Sequence, residues 1–151
     1  MKKKQKESES KYPAEKVYID ASLLISAASD IDEHGEKAIK ILEKIKDEFY
    51  KPYTAALTID EVMWIVQKER GRELALETAN ATLSIPSLEI VAVDRNIMKN
   101  TLIAYKEEKL NPRDAIHLAT MRSKKISIII SSDSDFDNIN DIKRIDFTKV
   151  T

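Results

Sequence analysis

Four carboxylic acids stand where a metal-assisted reaction on a phosphate ester could be built: Asp20, Glu61, Asp114 and Asp133. Carboxylates gathered at one place repel one another, so either some protonate or a divalent cation neutralises them. Such a cation stabilises charge on a phosphate under attack and makes water a better nucleophile, which suffices for phosphodiester hydrolysis. Composition narrows the ion. The chain has no cysteine and only two histidines, His34 and His117. Thiolate zinc sites, cysteine nucleophiles, disulfides and histidine-rich metal centres are thereby excluded. Oxygen ligands remain, and they favour Mg2+ or Mn2+.

Each acid also has a plainer explanation. Glu61 follows Thr58 by three residues, the spacing of a helix capping box. Asp114 near a helix start meets the positive end of the helix dipole. Asp133 and Asp135 lie in a polar stretch where aspartate forms side-chain turns. Asp20 is harder to dismiss, because it ends an apolar run and leads straight into ASLLISAA. Taken singly these explanations suffice; the four acids together point to a metal site.

The elements that must position these acids follow from hydrophobic periodicity and stop signals. VYID (17–20) predicts a buried strand, and Ala38, Ile41, Leu42, Ile45 and Phe49 share one face of a helix over 36–49. Lys51-Pro52 stops that helix and opens a strand, PYTAA. A helix then starts at Thr58, with Gly71 breaking it from a further helix that runs to about Ser84. LEIVAV (88–93) predicts the third strand, and Asp94 caps the helix after it. Asn111-Pro112 sets an N-cap and a first-turn proline. ISIII (126–130) is the clearest strand, and RIDF (144–147) adds one at the sheet edge. Strands alternating with helices imply an α/β fold, a mostly parallel sheet with helices on both faces. Ligands of such sheets bind beyond the carboxyl ends of the strands, where Asp20, Glu61 and Asp133 should meet. The spacing alone leaves the edge reached by Asp114 open.

With 151 residues, 42% hydrophobic and 34% charged, the chain fits one globular domain, residues 16–151. A lysine-rich tail, 1–15, precedes it. Residues 1–11 hold five lysines against two glutamates, net +3, leaving −4 of the formal −1 to the remainder. The tail reads as a solvated terminus in preference to an RNA-gripping arm. With neither a membrane-length apolar run nor an apolar leader, a cytoplasmic protein without a membrane partner is expected.

Four segments, VYIDASLLI, TIDEVMWIV, NPRDAIHLATM and SSDSDFDNI, together resemble the PIN-domain family, including VapC-type toxins of toxin–antitoxin pairs. The resemblance extends over nearly the whole chain from Val17. It implies a PIN-like α/β/α sandwich and an endoribonuclease dependent on Mg2+ or Mn2+. It places the metal-binding and catalytic acids on Asp20, Glu61, Asp114 and Asp133, with Asp20 and Asp114 contacting the ion directly. Ser131 and Asp135 take auxiliary places. Arg113 is the basic residue best placed to meet RNA. His117, one turn beyond Asp114, reads as a structural imidazole in preference to a partner of the site. Met63, Trp64 and Phe136 read as core or interface, and Lys68, Arg70 and Arg72 as a solvated helix end or phosphate contacts. The implied partners are RNA, an antitoxin protein and a second copy of the chain in a homodimer. A non-catalytic PIN-like module for RNA binding or protein assembly is the alternative. A magnesium-dependent phosphatase finds no support, since Asp20 is followed by Ala21 and Ser22 where a D-x-D motif would place a second aspartate.

Overall fold

Alternating side chains along the strands divide the interior in two. Val17, Ile19, Ile128 and Ile130 point to one face of a sheet, and Tyr18, Tyr53, Val91 and Ile129 to the other. The computed structural model describes residues 14–151. The elements are β1 (Glu15–Ile19), α1 (Ala21–Ser29), α2 (Glu33–Lys46), β2 (Tyr50–Ala55), α3 (Ala56–Arg70), α4 (Arg72–Leu83), β3 (Glu89–Val91), α5 (Arg95–Glu108), α6 (Pro112–Ser123), β4 (Ile128–Ile130) and β5 (Lys143–Ile145). Short 3-10 turns cover Ser134–Asn138 and Phe147–Lys149. The five strands are all parallel, in the order β3-β2-β1-β4-β5. Helices α1 to α4 cover the face bearing Val17 and Ile19, while α5 and α6 cover the face bearing Tyr18. The result is the expected α/β sandwich. No described helix is long and apolar enough to cross a membrane.

Several boundaries differ from the periodicity reading. ASLLISAA is helical: it forms most of α1, which starts directly after Asp20. Helix α2 begins earlier than expected, at Glu33, because the Asp32 carboxylate accepts the backbone N–H groups of His34 and Gly35. Strand β2 includes Pro52, at a point where β1 is paired but β3 is not yet alongside, so a missing N–H is tolerated. Gly71, at φ 96°, takes a left-handed backbone that favours glycine and turns α3 into α4. The 1–15 tail lies outside the described residues except for Ala14 and Glu15, and Glu15 already belongs to β1.

The start of α3 overturns the capping-box explanation of Glu61. The helix begins at Ala56 after Ala55, which has no capping side chain, so Thr58 lies inside the first turn. Thr58 is buried, with its hydroxyl 2.8 Å from Thr54 Oγ1, which in turn lies 2.7 Å from the Ile19 carbonyl oxygen. Glu61 therefore sits in the second turn of α3, a turn later than expected and without a capping role. Asn111 does precede Pro112 at the head of α6, though its side chain makes no capping bond. Asp94 caps α5 as expected, accepting the Ile97 N–H at 2.9 Å.

Phe136 is fully buried in the α5/α6 core although it lies in the acidic loop after β4. It anchors that loop by packing. Replacing Phe136 by Ala should destabilise the protein by roughly 3–5 kcal/mol, the usual cost of emptying a buried aromatic site. Phe136→Leu should cost clearly less, and urea unfolding of the two variants checks the difference.

Candidate active site

The strand order places the site. The chain leaves β1 in one direction toward β2 and β3, and returns on the other side of β1 to lay down β4 and β5. The crevice beyond the carboxyl ends of β1 and β4 is the switch point of the sheet, where α/β proteins bind ligands. Ile19 pairs with Ile130, so the next residues, Asp20 and Ser131, emerge side by side. The Ser131 hydroxyl donates to Asp20 Oδ2 at 2.7 Å, and the Ser22 hydroxyl donates to the same oxygen at 2.8 Å. Asp20 is buried at 8% exposure, so these two hydroxyls do the work water would do for an exposed carboxylate.

The loop after β4 continues the arrangement. Ser131 Oγ accepts the Asp133 N–H at 2.9 Å, and Asp133 Oδ1 accepts the Asp135 N–H at 2.9 Å. Each polar side chain thus receives the backbone N–H two residues on, as serine and aspartate do in tight turns. Arg144 fixes the loop from the β5 side. Its Nε and Nη2 donate to the two Asp137 oxygens at 2.7 and 2.8 Å, and its Nη1 donates to the Ser131 carbonyl at 3.1 Å.

Asp114, in the first turn of α6, reaches the same edge. One oxygen from each of Asp114, Asp133 and Asp135 can be chosen so that all three lie within 4.8 Å of one another. Asp135, expected in an auxiliary place, belongs to this close group. Asp20 and Glu61 lie outside it. Asp20 still contributes to the negative field at Asp114, while Glu61 lines the same open cleft, of about 480 Å³, as Arg113, Asp114 and Asp133. Burial, and then the charge of Asp133, raise the Asp114 carboxyl to about 6; Asp20 and Asp135 push the same way and His117 opposes them.

His117 has no solvent exposure. Its Nε2 lies 2.5 Å from Glu61 Oε1 and its Nδ1 lies 2.7 Å from the Tyr18 hydroxyl oxygen. Burial alone would lower the basicity of the imidazole. The Glu61 hydrogen bond and charge, with the fields of Asp20 and Asp114, outweigh it and raise the pKa. Tyr18, Ser22 and Arg144 are not marked by the sequence patterns; alternation along β1 hides Tyr18 among core residues, and Arg144 lies on the next strand, β5, outside the acidic motif. Arg70 donates to the Ser29 carbonyl and Arg72 to Gln67, so both serve helix ends. Trp64 is 57% exposed and does not belong to the core.

A second groove, of about 360 Å³ among α1, α2 and α4, is mainly apolar and contains none of the candidate acids. It offers no comparable donor set for a cation.

The raised Asp114 carboxyl has a consequence for stability. The folded state takes up a proton on Asp114 near pH 6, whereas its ordinary value is 3.8, so without metal the protein gains stability from this group as pH falls through that window. In chelator, Asp114→Asn should be more stable than the parent at pH 8, and the difference should shrink by pH 4.5. Urea midpoints at the two pH values test this; an offset that does not change with pH contradicts it.

The PIN domain profile matches residues 17–142. No curated protein sequence matches the chain significantly. Among solved structures, the fold is similar to Mycobacterium tuberculosis VapC20, described as a sarcin–ricin loop cleaving toxin, at 18% identity and a TM-score of 0.68 over 82% of this chain and 95% of that one. It is also similar to a Klebsiella pneumoniae toxin–antitoxin complex, at 21% identity and a TM-score of 0.62, covering 84% of this chain and 95% of that one. Rickettsia felis VapBC2 bound to a promoter DNA fragment matches at 12% identity and a TM-score of 0.68, covering 86% of this chain and 97% of that one. The structural likenesses carry the fold, and the profile match over most of the sequence carries the family: this chain belongs to the PIN domain family.

Proposed function

We propose that this protein is an endoribonuclease dependent on Mg2+ or Mn2+, and the toxin of a toxin–antitoxin pair. The observation that carries the reading is the close group of Asp114, Asp133 and Asp135 oxygens at the switch point of the sheet. The donors are all carboxylate oxygens, the chemistry that hard divalent cations take. Burial first, and then the charges of Asp133, Asp20 and Asp135, raise the Asp114 carboxyl, and a cation would relieve the charge part of that. The residues therefore fit such an ion.

Asp114, Asp133 and Asp135 would hold the metal, with Asp20 and Glu61 completing the acidic pocket directly or through water. A bound divalent ion supplies charge stabilisation at the phosphate and lowers the pKa of water. The chain's own groups prepare the site. Ser22 and Ser131 orient Asp20, Ser131 also fixes the turn that presents Asp133, and Arg113 stands on the cleft wall where an RNA phosphate would approach. One of the similar folds is that of a toxin that cleaves the sarcin–ricin loop, and another comes from a toxin–antitoxin complex; these likenesses support RNA as substrate and an antitoxin as partner. Action on cellular RNA agrees with the cytoplasmic location expected from the sequence. Exposed Met63 and Trp64 on α3 provide apolar surface that a homodimer would cover.

The test is cleavage of single-stranded and structured RNAs by purified protein. Chelation should abolish activity, and Mg2+ or Mn2+ should restore it. Asp20→Asn and Asp114→Asn should each lose roughly 100-fold or more, the scale seen when one charge-stabilising group is removed. Because both act on one site, the double variant should lose little beyond either single one. Arg113→Ala should weaken RNA binding and reduce its salt dependence by about one phosphate contact. Cleavage unchanged in both aspartate variants contradicts the assignment. RNA binding without metal uptake would identify a non-catalytic module instead.

A further inference from the structure

We propose that His117, anchored by Tyr18, is a positioning residue that fixes the Glu61 carboxylate for the metal centre. The inference rests on the metal reading above and assigns a role to a buried imidazole outside the acidic set.

The contacts form a closed circuit through three elements. The Ala55 N–H, at the junction of β2 and α3, donates to Tyr18 Oη at 3.0 Å. Tyr18, on β1, meets His117 Nδ1 at 2.7 Å, and His117, on α6, meets Glu61 Oε1 at 2.5 Å. Glu61 returns the path to α3. In the neutral imidazole, the ionised Glu61 requires the hydrogen on Nε2, and Nδ1 then accepts the Tyr18 hydroxyl hydrogen. The same three elements carry the acids: Asp20 follows β1, Asp114 opens α6 and Glu61 lies on α3. The circuit therefore sets the spacing between helices that bear two of the acids and the strand that leads to a third.

A purely structural histidine would serve as well by filling space. The contacts argue for more. Tyr18 and His117 are fully buried, so each hydrogen bond replaces water that cannot enter, whereas an apolar residue would fill the same volume without that requirement. Glu61 has only 16% side-chain exposure, and that exposure is on the cleft shared with Asp114 and Asp133. His117 engages Oε1; among the described residues Oε2 has no protein hydrogen-bond partner. One oxygen is thus held in place while the other is left for an ion or its water. Partners that orient a metal ligand in this way commonly contribute about 10–100-fold in metal affinity.

The experiment is Mn2+ binding by calorimetry, with thermal unfolding of every variant to establish that it folds. His117→Leu should weaken Mn2+ binding by about 10–100-fold. His117→Gln, which can present an amide N–H toward Glu61, should recover most of that loss. In a Glu61→Gln background, His117→Leu should cause almost no further loss, which a space-filling role would not produce. Should His117→Leu fail to fold, Tyr18→Phe keeps the ring, removes the anchor and should still weaken Mn2+ binding. Folded His117 or Tyr18 variants that bind Mn2+ like the parent overturn the positioning role and leave the metal reading intact. A parent protein that takes up no Mn2+ overturns the metal reading and this inference with it.

Discussion

Carboxylates crowded at one sheet edge repel each other, and much of the surrounding structure serves to hold them there. The Asp114 carboxyl is raised to about 6, first by burial and then by its acidic neighbours. The restraints come from separate sources. Two serine hydroxyls hold Asp20, an imidazole holds Glu61, and the first turn of α6 presents Asp114 where the helix dipole favours negative charge. Successive backbone N–H groups shape the turn bearing Asp133 and Asp135. Phe136 and Arg144 then tie that turn to the core and to β5. Packing supplies the rigidity, and hydrogen bonds choose the direction in which Asp20, Glu61 and Asp133 face.

Topology makes this possible. Parallel pairing sets Ile19 beside Ile130, so residues 111 positions apart, Asp20 and Ser131, become neighbours at the strand ends. No helix is needed to bring them together. Asp114 and Glu61 arrive differently, from helices on opposite faces of the sheet, and their relative position depends on the Tyr18 and His117 circuit between those helices.

The fold was legible where pattern and chemistry agree. Apolar runs such as ISIII and the Gly71 break have local causes, and the strand–helix alternation led correctly to a parallel sheet. Helix α1 was harder to read because ASLLISAA is apolar around much of its surface and lacks a clean helical stripe. The capping box at Thr58 failed because Thr58 is drawn into a buried hydroxyl pair with Thr54, a partner in the preceding strand. Within the site, the acids were visible as residue types, but their partition was not: the closeness of Asp135 to Asp114 and Asp133 depends on a turn that spacing alone does not orient. For His117, spacing favours a structural imidazole over a partner of the site, and its contact with Glu61 becomes visible only in the structure.

On this account a divalent cation matches the charge gathered by Asp114, Asp133 and Asp135. Anomalous diffraction from crystals grown with Mn2+ tests it most directly. A manganese peak coordinated by oxygens of these three aspartates is expected, as is loss of that peak in Asp114→Asn. A crystal grown in saturating Mn2+ with no peak there, or manganese bound only away from the carboxyl ends of β1 and β4, would contradict it.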